Sequence, residues 1–162
     1  MMIIITGTPG TGKTTIAKAL AEALDFIYLN DKEIISRHQL SEGRDEERDA
    51  EIIDEERFAE ALKGECKSRD CVVDSHLSHF ISPHDIDLCI VTQCELETLK
   101  QRLELRGYSE KKIRENLDSE IFEICKFEAL EMGHHVFDIS TEEETEESIK
   151  KILKKLKEQK LL

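Results

Sequence analysis

The chain alternates short, uniformly apolar runs with longer stretches in which apolar residues recur every three or four positions. Met2-Ile3-Ile4-Ile5-Thr6 is rich in β-branched residues and apolar throughout. That is the pattern of a central parallel strand covered on both faces. From Lys13 to Leu24, the residues Ile16, Leu20, Ala23 and Leu24 fall at helical spacing. Phe26–Leu29 reads as a second strand, Cys71–Asp74 as a third, Leu88–Thr92 as a fourth and Val136–Ile139 as a fifth. Residues 31–40 and 54–63 are expected to be helical, joined by an acidic, flexible stretch. A helix from about Glu95 to Leu105 is broken by Gly107, and Ser109 is placed to cap a second one running to about Glu131. Thr141 with Glu144 has the spacing of a capping box ahead of a last helix, whose Ile149, Ile152, Leu153 and Leu156 would face the core.

Strands alternating with helices imply a parallel sheet with right-handed crossovers. The length of 162 residues suits one compact α/β domain and is too short for two full ones. Sheets of this kind bind ligands beyond the carboxyl ends of their strands. The loop after the first strand and Asp74 at the end of the third both lie on that edge, so two separate observations point to one place.

Gly7-Thr8-Pro9-Gly10-Thr11-Gly12-Lys13-Thr14 matches G-x-x-x-x-G-K-[ST] at every fixed position, between a strand and a helix. Glycines let successive N–H groups turn inward around a phosphate. The helix opening at Lys13 adds its N-terminal dipole. Lys13 is expected to reach the outer phosphates of ATP and Thr14 to ligate Mg²⁺, with Thr15 one residue further into the turn. The expected fold is therefore a P-loop NTPase three-layer α/β sandwich: a five-stranded parallel sheet with helices on both faces. Asp74 is placed to hold Mg²⁺, through water, as an acid ending an apolar strand. His76, two residues on, shares its face and could orient water or a phosphate; a polar loop histidine would look the same. Arg102 and Arg106 are four apart on one helix face, suited to clamp a transferring phosphate or simply to face solvent.

Charge and cysteines refine this picture. A net charge of −13 argues against broad nucleic-acid binding and favours a basic protein partner. Nine carboxylates lie between Glu42 and Glu56, either a docking surface or a solvated face. The five cysteines lack the two-residue spacing of zinc knuckles and are expected to be buried thiols in a reducing, cytoplasmic setting. Met1–Ile5 has no basic flank and reads as a strand rather than a secretory signal. No run approaches the ~18 apolar residues of a membrane helix.

The segment Arg102-Leu103-Glu104-Leu105-Arg106-Gly107-Tyr108-Ser109-Glu110-Lys111-Lys112-Ile113, followed by Asn116 and Glu120-Ile121-Phe122, closely resembles the adenylate kinase isoenzyme 6 family. So do Thr6 to Thr15, Val72-Val73-Asp74 with His76, and Asp54-Glu55 before the third helix; the likeness runs in order through nearly the whole chain. The resemblance implies a small nucleoside monophosphate kinase with a very short lid, catalysing ATP + AMP ⇌ 2 ADP, with slow ATPase activity besides. It also implies a role in late maturation of the small ribosomal subunit, through a basic ribosomal protein of the platform. By position it implies that Gly10, Gly12, Lys13, Thr14 and Thr15 bind ATP phosphates. Arg106 would contact ATP from a lid at about 105–115, Arg102 would lie against the nucleotide, and the acceptor-binding region would span about 30–53.

The chain departs from that family in places. Gln93 stands where some relatives carry an arginine, and Arg37 lies one position from where a basic residue is expected. Arg37, Arg44 and Arg48 therefore all remain candidates to anchor the acceptor phosphate, and AMP is not distinguished from other monophosphates. A kinase for a small hydroxylated metabolite such as shikimate is a further reading, against which the lid segment argues.

Overall fold

The computed structural model describes residues 1–46 and 50–162. In chain order its elements are β1 (Met2–Thr6), α1 (Lys13–Leu24), β2 (Ile27–Asn30), α2 (Asp31–His38), β3 (Ser41–Asp45), β4 (Ala50–Ile53) and α3 (Glu55–Cys66). Then follow β5 (Cys71–Asp74), β6 (Leu88–Gln93), α4 (Leu96–Leu105), α5 (Glu110–Ile121), α6 (Ile124–Glu131), β7 (Val136–Ser140) and α7 (Thr145–Glu158). Five strands form a parallel sheet in the order β2-β5-β1-β6-β7. β1 is therefore central and all five of its residues are buried.

Alternation along β1 sends Ile3 and Ile5 to one face and Met2 and Ile4 to the other. The first pair packs with Ile16 and Leu20 of α1 and Ile152 and Leu156 of α7. The second pair joins Ile34 of α2, Phe58 and Leu62 of α3 and Ala129 of α6. Each large side chain so enclosed contributes about 1.5–3 kcal/mol relative to exposure. A smaller cluster of Leu99, Leu103 and Ile113 joins α4 to α5. The expected three layers and five parallel strands are thus present.

Four expectations are corrected. First, the acidic stretch after α2 contains an antiparallel hairpin, β3 with β4. Ser41-Glu42-Gly43-Arg44-Asp45 carries no apolar alternation, so period-based reading has nothing to detect. Second, the helix expected from Ser109 to about Glu131 is two helices, broken at Glu123, which adopts a left-handed backbone (φ 48°). Glu123 accepts from Gln93 Nε2 (2.7 Å) and Lys126 Nζ (3.1 Å), and Lys126 also meets Asp138 on β7 at 2.8 Å. These tertiary bonds override local helix preference. They leave Ile121, Phe122, Ile124 and Phe127 exposed around the break. Third, the residue flanking α7 is Glu144; Thr141 makes no capping box and turns back to the loop after β1. Fourth, Cys66 and Cys71 are not free thiols: they form a disulfide joining the end of α3 to the start of β5, across a separation of five residues. Cys89, Cys94 and Cys125 are free.

Beneath the carboxyl end of β1, His79 is only 2% exposed. Its Nδ1 lies 3.1 Å from Thr6 Oγ1, and its carbonyl meets His134 Nε2 at 2.7 Å. Glu128 comes within 3.1 Å of Nε2 but out of hydrogen-bond alignment. Burial dominates, with His76 and His134 adding repulsion, and the imidazole is pushed down to about 4. It is therefore neutral in the fold but protonates more readily once unfolded. Its stabilising contribution is whole above about pH 6.5 and is lost as pH falls toward 4, a loss of about 3 kcal/mol. Urea unfolding across that range should show His79→Asn losing less stability than the parent chain by this amount.

The disulfide gives a second expectation. Thiol titration of the denatured, unreduced chain should count three free groups rather than five. A cross-link closing so short a loop stabilises by roughly 2 kcal/mol, so reduction should lower Tm by about 4–8 °C.

Candidate functional site

The loop between β1 and α1 turns through glycines with positive φ: 140° at Gly7, 98° at Gly10 and 93° at Gly12. At Gly7 the constraint is also steric, since a Cβ would stand 2.6 Å from the Thr92 carbonyl oxygen. The Lys13 ammonium lies inside the loop, donating to the carbonyls of Gly7 (2.8 Å) and Thr8 (3.1 Å). Burial makes its proton easier to lose, while Asp74, Cys125 and Asp31 oppose that loss.

Asp74 ends β5 beside the loop and is buried. Its Oδ2 accepts from Thr14 Oγ1 at 2.6 Å and from Tyr28 OH at 2.9 Å. The same carboxylate, after burial, raises the Tyr28 phenol above its ordinary value and keeps it protonated as a donor. A hydroxyl and a carboxylate brought together offer hard oxygen ligands of the kind Mg²⁺ takes, alongside ligands from substrate phosphates. Among the described residues no group of three His, Cys, Asp or Glu could hold a metal by itself.

His76 follows on the loop after β5, half exposed, with Nδ1 3.3 Å from Asp31 Oδ2 at the start of α2. Burial disfavours the Asp31 charge, but His76, the Lys32 amide and Lys13 outweigh it and hold the carboxyl below the usual carboxylate range.

On the other side of the loop a cavity of about 450 Å³ is lined by Gly10, Gly12, Thr15, Arg102, Arg106 and Thr141, among others. Arg102 Nη1 donates to the carbonyl of Gly10 (3.3 Å) and to Thr141 Oγ1 (3.2 Å). Arg106 caps the end of α4, next to Leu105, which is 89% exposed. Glu120 of α5 accepts from the Cys94 amide at 3.1 Å, and burial raises its carboxyl.

The structure thus gathers the nine residues singled out from the sequence around one loop. Gly10, Gly12, Thr15, Arg102 and Arg106 line the cavity. Lys13, Thr14, Asp74 and His76 lie toward β5 and α2. The arginines of the acceptor region separate. Arg37 pairs with Glu65 at 2.6 Å, next to the disulfide at the end of β5 opposite Asp74. Arg44 lies on β3. Arg48 lies outside the described residues, as does the middle of the acidic stretch. Sequence reasoning missed Tyr28, Asp31, Glu120 and Thr141. Asp31 and Thr141 could have been found from the edge rule that singled out Asp74, since each directly follows a parallel strand or its last residue.

A family profile described as AAA domain matches residues 3–123. The chain is 36% identical over 162 residues to a protein of Methanocaldococcus jannaschii named "Putative adenylate kinase", covering 99% of this chain and 88% of that one. It is 38% identical over 159 residues to the protein of the same name from Thermococcus onnurineus, covering 97% and 84%. A solved structure of shikimate kinase from Bacteroides thetaiotaomicron has a TM-score of 0.69 at 17% identity, covering 97% and 98%. The deoxyadenosine kinase from M. mycoides with products dCMP and dCDP bound has a TM-score of 0.61 at 17% identity, covering 98% and 100%. Likeness at such identity shows the shared α/β P-loop kinase fold.

Thr141 ties the two halves of the site together: its Oγ1 donates to the Thr11 carbonyl at 2.7 Å while accepting from Arg102. Thr141→Val keeps the shape and removes both bonds. It should destabilise the chain by about 1–2 kcal/mol in chemical denaturation, the cost of stranding a largely buried acceptor.

Proposed function

The chain belongs to the AAA-domain family and to the same P-loop nucleotide kinase family as its relatives from Methanocaldococcus jannaschii and Thermococcus onnurineus; from this premise we propose that it is a nucleoside monophosphate kinase that transfers the γ-phosphate of ATP to AMP and also hydrolyses ATP slowly. The observation that carries the reading is the Thr14–Asp74 contact of 2.6 Å, made directly beside a glycine loop enclosing the Lys13 ammonium.

Phosphoryl transfer demands alignment and neutralisation of charge more than covalent help. Loop amides and Lys13 hold the outer phosphates in this reading. Arg106 meets the transferring group from the lid, about residues 105–115, and Arg102 braces the nucleotide against the loop. Thr14 and Asp74 would hold Mg²⁺, Asp74 through water, and the ion would supply neutralisation of phosphate charge. His76 orients the acceptor or a water. The acceptor region, about residues 30–53, supplies a phosphate anchor, for which Arg37, Arg44 and Arg48 are the candidates; Arg37 is also paired with Glu65. A lid this short excludes water poorly, so hydrolysis accompanies transfer. We assign the acidic stretch from Glu42 to Glu56 to a basic small-subunit ribosomal protein of the platform, which would make the ATPase an assembly activity; the net charge of −13 favours such a partner.

Two measurements test the reading. Purified chain with ATP and Mg²⁺ should release ADP without AMP, faster than a blank, and AMP should raise the rate. Lys13→Ala should cut both activities at least ~100-fold, the loss typical of one strong transition-state donor. Turnover near normal in that variant would reject the assigned site.

A further inference from the structure

We propose that Asp31 is a positioning residue for His76, holding the imidazole in one orientation at the phosphate edge of the site. The inference rests on the kinase reading above and adds a residue to it. Asn30 and Asp74 are register partners on adjacent parallel strands, so Asp31 and the segment after Asp74 leave the sheet side by side. Asp31 is the first residue of α2, where the Asn30 side chain caps the helix by accepting from the Glu33 amide at 3.0 Å. Its Oδ1 accepts from the Lys32 amide at 2.8 Å, which leaves Oδ2 facing His76 Nδ1 at 3.3 Å. Only 19% of the Asp31 side chain is exposed, whereas 54% of His76 is.

The asymmetry is the argument. An exposed histidine on a loop samples several rotamers, while a carboxylate at a capped helix start, held by a backbone amide, does not. Among the described residues, Asp31 is the ion-pair partner that His76 has. With Nδ1 engaged, Nε2 remains for a phosphate oxygen, an acceptor hydroxyl or a water. Asp31 touches none of these; it acts through the ring.

A double-mutant cycle separates this role from that of an ordinary helix-opening acid. Asp31→Ala should lower kcat for hydrolysis and transfer roughly 10-fold, in keeping with the cost of misplacing a reacting group. KM for ATP should be unchanged. Asp31→Asn, which keeps an acceptor oxygen, should recover most of the lost turnover. Asp31 also favours the Lys13 ammonium, so in a His76→Ala background Asp31→Ala should cost only a small part of what it costs in the parent chain. Asp31→Ser, a good helix opener too short to reach the ring, should repeat the loss and replaces the alanine variant if that one fails to fold. Undiminished kcat in Asp31→Ala, an equal loss in the His76→Ala background, a change confined to KM, or full turnover in His76→Ala would each overturn the proposal. Lys13→Ala measured in parallel reports on the kinase reading itself: activity retained there strikes that reading, while activity lost there with no Asp31 effect strikes only this one.

Discussion

A loop can aim several amides at one point only if its carbonyls are satisfied elsewhere, because buried backbone oxygens without partners are costly. Between Gly7 and Gly12 that requirement is met by specific side chains. The Gly7 and Thr8 carbonyls accept from Lys13, Thr8 also from Thr11, Gly10 from Arg102 and Thr11 from Thr141. Thr11 Oγ1 further meets Thr92 Oγ1 at 2.7 Å, which ties the loop to β6. Residues from α4, β6 and the loop after β7 thus converge on one short stretch of main chain. The parallel sheet serves chiefly to bring their strand ends together, and the loop is rigid to the extent that they do.

The same economy governs charge. Lys13 is deeply enclosed, and Asp74 and Asp31 supply nearby negative charge that favours its ammonium form. Both acids belong to the β2–β5 edge, and both are already engaged, Asp74 by two hydroxyls and Asp31 by His76 and a backbone amide. The site is a balanced set of groups whose donors and acceptors are nearly all assigned. Removing one member therefore changes the orientation of its neighbours as well as the local charge.

Much of this was legible beforehand because strand ends in parallel α/β sheets are strongly patterned. Met2–Thr6 and Cys71–Asp74 match β1 and β5 residue for residue, since uniform apolar runs between glycine, proline and charged punctuation leave little choice of boundary. The glycine–lysine motif led straight to the loop. What escaped was set by contacts distant in sequence. The break at Glu123 depends on Gln93 and Lys126, and the hairpin pairs β4 with a strand, β3, that carries no apolar residue. Cys66 and Cys71 became a pair because α3 ends where β5 begins. Tyr28 acts through a hydroxyl whose target lies 46 residues away, and no local spacing records such a distance.

The break between α5 and α6 has a mechanical consequence. The far end of α5 is held by Glu120 on the Cys94 amide and by the neighbouring Glu123 on Gln93, while Ile113 and Leu117 pack the helix in a cluster with Leu99 and Leu103 of α4. Twelve helical residues span about 18 Å. A tilt of roughly 5° about the far end would carry Ser109 and the adjoining Gly107 about 1.6 Å, since arc length grows with that span. Any rotation at the root of the helix would be magnified at its tip, next to the arginine that ends α4.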